Sequence, residues 1–150
     1  MFVNRRTVRI EWGDCDPAGI VYYPRYFAMF DASTHCLFEA AGWKKIDLLR
    51  QFDIVGYPMV DTRARFILSS SFGDDIVIET RIAAFRRSSF DVEHKAYKPG
   101  AGGETMAIEA TETRVWAGRH PEDPKRLKSR AIPEAVIRRL SGAEAQAHGD

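Results

Sequence analysis

Cysteine, histidine and net charge are all scarce in this 150-residue sequence, which has two Cys, four His and 22 basic against 21 acidic residues. Cys15 and Cys36 are too few and too far apart for a zinc site of the CxxC type, and reduced thiols are expected. The balanced charge gives no global attraction to nucleic acid, so any basic site has to be local. No apolar run approaches the roughly 20 residues that a membrane span needs. Arg5 and Arg6 near the N-terminus are not followed by an apolar stretch, so no signal peptide is read there and a cytoplasmic protein is expected. The G-x-S-x-G of α/β serine hydrolases is missing. Gly100-Ala101-Gly102-Gly103 is glycine-rich but leads into a strand rather than a helix, which excludes a dinucleotide-binding loop.

With no internal repeat and no linker, one α+β domain is expected over residues 1–141, with a frayed tail at 142–150. Val8 and Ile10 alternate with Arg9 and Glu11, which predicts a strand over Val3 to Trp12. Asp16-Pro17-Ala18-Gly19 is turn chemistry, since proline presets φ and glycine tolerates φ > 0. A helix is predicted from Pro24 to about Ala41, stopped by Gly42. Tyr23, Tyr26, Phe27, Phe30, Leu37, Phe38 and Ala41 recur along it at helical spacing and make an apolar face wide enough for burial on most sides. A short helix around Asp47 to Phe52 follows. Strands are then predicted over Val60 to Ser70, Ile76 to Phe85, Phe90 to Tyr97 and Thr105 to Ala117, and a last helix over Pro133 to Leu140. One amphipathic helix cannot cover both faces of such a sheet. The expectation is a five-stranded antiparallel sheet curled around the long helix, with its other face or an edge strand partly covered by a partner subunit. Trp12, Trp43 and Trp116 are assigned to the core. No role is readable for His94, His120 or His148.

Several residue types carry potential chemistry. Asp14 and Asp16 read as turn residues bonded to nearby backbone. A carboxylate beside a helix N-terminus would alternatively stay ionised, as a nucleophile or base must. Ile20, Val21 and the following tyrosines are expected to bury this turn. Asp31 and His35, spaced i and i+4, form an intrahelical pair and are too few for a metal site. Arg86 and Arg87 fit a solvated strand end or a phosphate contact, and so does the cluster Lys125, Arg126, Lys128 and Arg130.

The run Ile10-Glu11-Trp12-Gly13-Asp14-Cys15-Asp16-Pro17-Ala18-Gly19-Ile20-Val21-Tyr22-Tyr23-Pro24 closely resembles the signature of the 4-hydroxybenzoyl-CoA thioesterases of the hotdog-fold superfamily. Gly56-Tyr57-Pro58-Met59-Val60 and Arg86-Arg87-Ser88-Ser89-Phe90 support the resemblance, which spans Arg9 to Trp116. It implies a hotdog fold, in which the antiparallel sheet wraps a long central helix, and hydrolysis of an aromatic acyl-CoA to the free acid and coenzyme A. By the same resemblance Asp16 attacks the thioester carbonyl or activates water, and the backbone N–H of Tyr23 polarises that carbonyl. Asp31 lines the acyl pocket, where it can accept a hydrogen bond from a ring hydroxyl. The segment Arg86, Arg87 and Ser88 meets the phosphates of coenzyme A. Tyr57 departs from the family pattern, which has a small hydroxyl residue there, and would reshape the pocket. The resemblance further implies dimers joined edge to edge with sites at the shared interface, pairing of these dimers into a homotetramer, and no metal or redox cofactor. An aliphatic acyl-CoA thioesterase and a non-catalytic acyl-CoA binding protein are the alternatives; the aromatic face of the helix favours an aromatic acyl group.

Overall fold

Polar and apolar side chains alternate along the strands, and that period of two sorts them onto an inner and an outer face. In the computed structural model, which describes residues 1–142, strands β1 (Val3–Arg9), β2 (Met59–Phe66), β3 (Asp75–Phe85), β4 (Ser89–Gly100) and β5 (Gly103–Val115) form one antiparallel sheet. Their order is β1-β3-β4-β5-β2. On β4, Phe90, Val92, His94 and Ala96 are buried, while Asp91, Glu93 and Lys95 line the other face. That outer face is laced with ion pairs such as Arg81–Glu93 at 2.9 Å.

The inner face packs against the helix α1 (Tyr23–Ala40). Gly42, at φ +109°, closes it: Trp43 N–H reaches Phe38 O and Gly42 N–H reaches Glu39 O, the paired bonds of a Schellman cap. The core divides into two apolar clusters. Tyr26, Met29 and Phe30 meet Ile76, Ile78, Ala96 and Ile108 at one end. At the other, Leu37 and Phe38 meet Tyr57, Phe90, Val92 and Trp116, joined by α2 (Lys45–Phe52) through Leu48 and by α3 (Glu134–Ser141) through Val136 and Leu140. Between the clusters runs a buried polar band: Ser33 and Thr34 on α1, Thr80 on β3, His94 on β4, and Glu112 and Arg114 on β5. Among the described residues no helix is long and apolar enough to cross a membrane.

Four expectations need correction. The first strand ends at Arg9, because the Asp14 carboxylate accepts the Glu11 N–H and closes a 3-10 turn over Trp12–Asp14. Trp12 consequently leaves the core; it is 77% exposed and stacks edge-on against Phe72. The last long strand ends at Val115, since Trp116 N–H turns to Ser88 O and Ala117–Arg119 (β6) pairs with Leu127–Ser129 (β7) as a separate hairpin. β2 also stops before Ser70, as Ile67 and Leu68 N–H both turn to Ala107 O. The tail at 143–150, with His148, lies outside the described residues.

Candidate active site

The two aspartates of the N-terminal turn have different surroundings. Asp14 is structural: its carboxylate caps Glu11, and its carbonyl accepts the Tyr22 N–H at 2.8 Å. Asp16 opens a turn in which Gly19 N–H reaches Asp16 O at 2.9 Å and Gly19 takes φ +82°. Its Oδ1 accepts the Ala18 N–H at 2.8 Å, an Asx turn that fixes the side chain through one oxygen. A bridge between Cys15 and Val21 then folds the chain back so that α1 starts directly after the turn.

At that start the first N–H groups have no partner within the helix. Pro24 has none to offer, and Arg25 N–H reaches back to Tyr22 O at 2.8 Å. Tyr23 N–H is thus the donor at the mouth of an 18-residue helix, where the aligned peptide dipoles leave partial positive charge. The expectation of a buried turn holds for Val21 alone, since Ile20, Tyr22 and Tyr23 are 39%, 49% and 58% exposed. The physical reason is their position at the sheet edge. Phe66, at the end of β2, touches the rings of Tyr23, Tyr26 and Phe27, so the helix mouth opens beside an edge strand with one free side.

Further along α1, Asp31 is held through both oxygens. Oδ1 accepts from Arg114 Nη2 at 2.7 Å, and Oδ2 lies 3.4 Å from His35 Nε2. Burial, aided by the charge of Lys45, lowers the His35 imidazole from its ordinary value and so favours the neutral ring. Burial also pushes the Tyr57 hydroxyl well up. Tyr57 therefore keeps its proton and donates to His35 Nδ1 at 2.7 Å, which leaves Nε2–H facing Asp31. The Tyr57 ring itself is buried, stacked on Phe38 and Trp116. Lys45 lies over that ring at 3.2 Å from its centroid, a cation–π contact. Burial, aided by the charge of Arg114, lowers the Lys45 ammonium to about 8.

Arg86, Arg87 and Ser88 make the β3–β4 turn. The Arg86 fork is already engaged, bidentate to Asp91 at 2.6 and 2.9 Å and to Ser89 Oγ at 2.8 Å. Arg87 is exposed and its guanidinium makes no ion pair among the described residues, while its carbonyl accepts Ile132 N–H. Ser88 contributes its carbonyl to Trp116 N–H. In the second basic cluster Arg130 bonds the backbone of Asp53 and Arg119, and Lys125, Arg126 and Lys128 stay exposed. Among the described residues no three His, Cys, Asp or Glu side chains gather as a metal site.

Sequence reasoning missed His94, Glu112 and Arg114. His94 Nδ1 lies 2.9 Å from Thr80 Oγ1, and its Nε2 is 3.3 Å from Glu112 Oε1, off line for a hydrogen bond. Glu112 Oε2 accepts from Arg114 Nε at 2.8 Å and from Thr34 Oγ1 at 3.1 Å. Burial opposes ionisation of Glu112, yet the Arg114 guanidinium bonded to it, with His94 close by, holds its carboxyl down at about 2. The signal was present in the strand period: His94 falls in phase with Val92 and Ala96, and Glu112 and Arg114 fall in phase with Ala110 and Trp116.

Residues 10–140 match the model of the Thioesterase-like superfamily. A 4-hydroxybenzoyl-CoA thioesterase from Pseudomonas sp. strain CBS-3 is 38% identical over 133 residues, covering 86% of this chain and 91% of the relative. A solved 4-hydroxybenzoyl-CoA thioesterase mutant complexed with 4-hydroxybenzoyl-CoA superposes with a TM-score of 0.85 at 34% identity, over 93% of this chain and 99% of that one. A gentisyl-coenzyme A thioesterase superposes with a TM-score of 0.74 at 28% identity, over 92% of this chain and 99% of that one.

Proposed function

Because the chain belongs to the Thioesterase-like superfamily and has the hotdog fold, we propose that it hydrolyses a hydroxylated aromatic acyl-CoA, 4-hydroxybenzoyl-CoA or a close relative. The chain is a thioester hydrolase, in keeping with its relatives. The observation that carries the reaction is the Asx-turned Asp16 beside a helix mouth whose donor is Tyr23 N–H.

A thioester carbonyl oxygen hydrogen-bonded to Tyr23 N–H gains negative charge as the carbon becomes tetrahedral, and the helix N-terminus stabilises that charge. Two routes use this arrangement. Asp16 attacks the carbon, expels the coenzyme A thiolate and leaves a mixed anhydride that water cleaves. Otherwise Asp16 takes a proton from water, and the resulting hydroxide attacks the same carbon. Both end in the free acid and coenzyme A.

Asp31 lies eight residues along the helix from Tyr23, a rise of roughly 12 Å. That separation suits a rigid para-substituted aroyl group with a hydrogen bond at each end. Asp31→Ala is expected to cut the kcat/KM preference for 4-hydroxybenzoyl-CoA over benzoyl-CoA by about tenfold, the loss of one hydrogen bond to a charged acceptor. Measuring both thioesters side by side decides it, and an unchanged preference removes Asp31 from the acyl pocket.

Arg87, with its fork unengaged among the described residues, is the better placed of the two turn arginines to meet coenzyme A phosphate. Arg87→Ala should raise KM for coenzyme A thioesters several-fold and leave KM for thioesters lacking the nucleotide as it was; equal rises on both contradict the contact. The unpaired β2 edge and the exposed aromatics beside it support a dimer joined at β2, which would cover Tyr22, Tyr23 and Phe66 and bring the sites to the interface.

A further inference from the structure

The buried polar band poses a question that hydrolysis at Asp16 does not answer. Glu112 and Arg114 are 2% and 3% exposed, and His94 is fully buried, in the middle of an otherwise apolar interior. Burying charge there costs free energy that a Leu or Val row would not. Its inner end is closed by Thr80 Oγ1 on His94. Beyond Arg114 it emerges at the half-exposed carboxylate of Asp31.

The geometry at Arg114 explains how position passes along this string. The planar guanidinium gives Nε to Glu112 at 2.8 Å, Nη2 to Asp31 at 2.7 Å and Nη1 toward Tyr57 O at 3.4 Å. Glu112, pinned by the Thr34 hydroxyl on α1 and flanked by His94, fixes the plane of that fork. A fixed fork in turn fixes Asp31 Oδ1, while His35 restrains Oδ2. Arginine suits this task because its donors are rigidly coplanar, whereas the rotatable donors of an ammonium fix no plane between two carboxylates.

We propose that Arg114, braced from behind by Glu112 and His94, is the positioning residue for Asp31, and that this buried string sets the preference for a hydroxylated over an unsubstituted ring. The proposal rests on the reading of Asp31 as an acyl-pocket residue. Arg114 touches no substrate in this scheme; it holds the carboxylate that does.

The test compares kcat/KM for 4-hydroxybenzoyl-CoA and benzoyl-CoA in the unmodified protein, Asp31→Ala, Arg114→Lys and the double variant. Arg114→Lys keeps the charge and loses the fork, so it should lower the preference ratio by about tenfold. In the Asp31→Ala background it should lower the ratio no further, since both changes remove the same interaction. A general loosening of the core slows both substrates together and leaves the ratio intact; that result overturns the proposal. If Arg114→Lys does not fold, Thr34→Val removes the hydroxyl from Glu112 with little change of shape. It should lower the ratio about threefold, and an unchanged ratio there equally overturns the proposal. A ratio that collapses in Asp31→Ala and survives in Arg114→Lys rejects the positioning role alone. A ratio that survives in Asp31→Ala rejects the pocket reading beneath it.

Discussion

Asp16→Asn lowers kcat on 4-hydroxybenzoyl-CoA by about 10²–10⁴-fold, with substrate affinity nearly unchanged, if this carboxylate is the nucleophile or base. Asparagine keeps the size and the side-chain carbonyl that accepts the Ala18 N–H, so the Asx turn survives. The Tyr23 donor and α1 are untouched, and stability should stay within about 0.5 kcal/mol. The loss therefore reports chemistry rather than folding. Single-turnover kinetics with a parallel binding measurement separate the two quantities, and turnover near the unmodified rate would remove Asp16 from the mechanism.

The second large effect concerns stability. Glu112→Ala should cost about 3–5 kcal/mol, because it leaves the buried Arg114 guanidinium without its inner carboxylate. For a chain of this size that is a fall in Tm on the order of 10 °C. The pH dependence has a definite sign. The folded-state carboxyl of Glu112 sits at about 2, below its ordinary value of 4.5. Its ionisation thus contributes stability that is fully present above about pH 4.5 and is lost as pH falls toward about 2. The stability gap between the unmodified protein and Glu112→Ala should shrink over that window in acid denaturation. Replacing both partners, Glu112→Leu with Arg114→Met, removes the uncompensated charge and should recover most of the loss. A double variant no more stable than Glu112→Ala would contradict the account of the buried pair.

How much of this was legible depended on whether the signal was local. The long helix announced itself through its aromatic spacing, and Gly42 ended it as glycine at that position should. The four later strands followed from alternation, and their five-stranded antiparallel sheet from their order. Boundaries failed where a distant backbone partner captured the chain, as Ser88 does to Trp116 and Ala107 does to Ile67. Trp12 was misassigned because composition places tryptophan inside, whereas the Asp14 cap turns this one outward. At the site, the Asp16 turn and the Tyr23 helix start were readable because the residues are contiguous. The band linking Thr80, His94, Glu112 and Arg114 was not, since its members lie on three strands and meet only through register: Thr80 opposite His94, and Glu112 opposite Val92 beside it. The engagement of Arg86 by Asp91, which leaves Arg87 the better placed cation, needed side-chain geometry.

The central claim is turnover of an aromatic thioester, and free thiol released by the unmodified protein tests it most directly. The account predicts a kcat/KM for 4-hydroxybenzoyl-CoA at least about tenfold above that for a short aliphatic acyl-CoA, a difference of about 1.4 kcal/mol in transition-state binding. Equal rates on both would contradict the aromatic assignment, and tight binding with no thiol released from either would contradict hydrolysis itself.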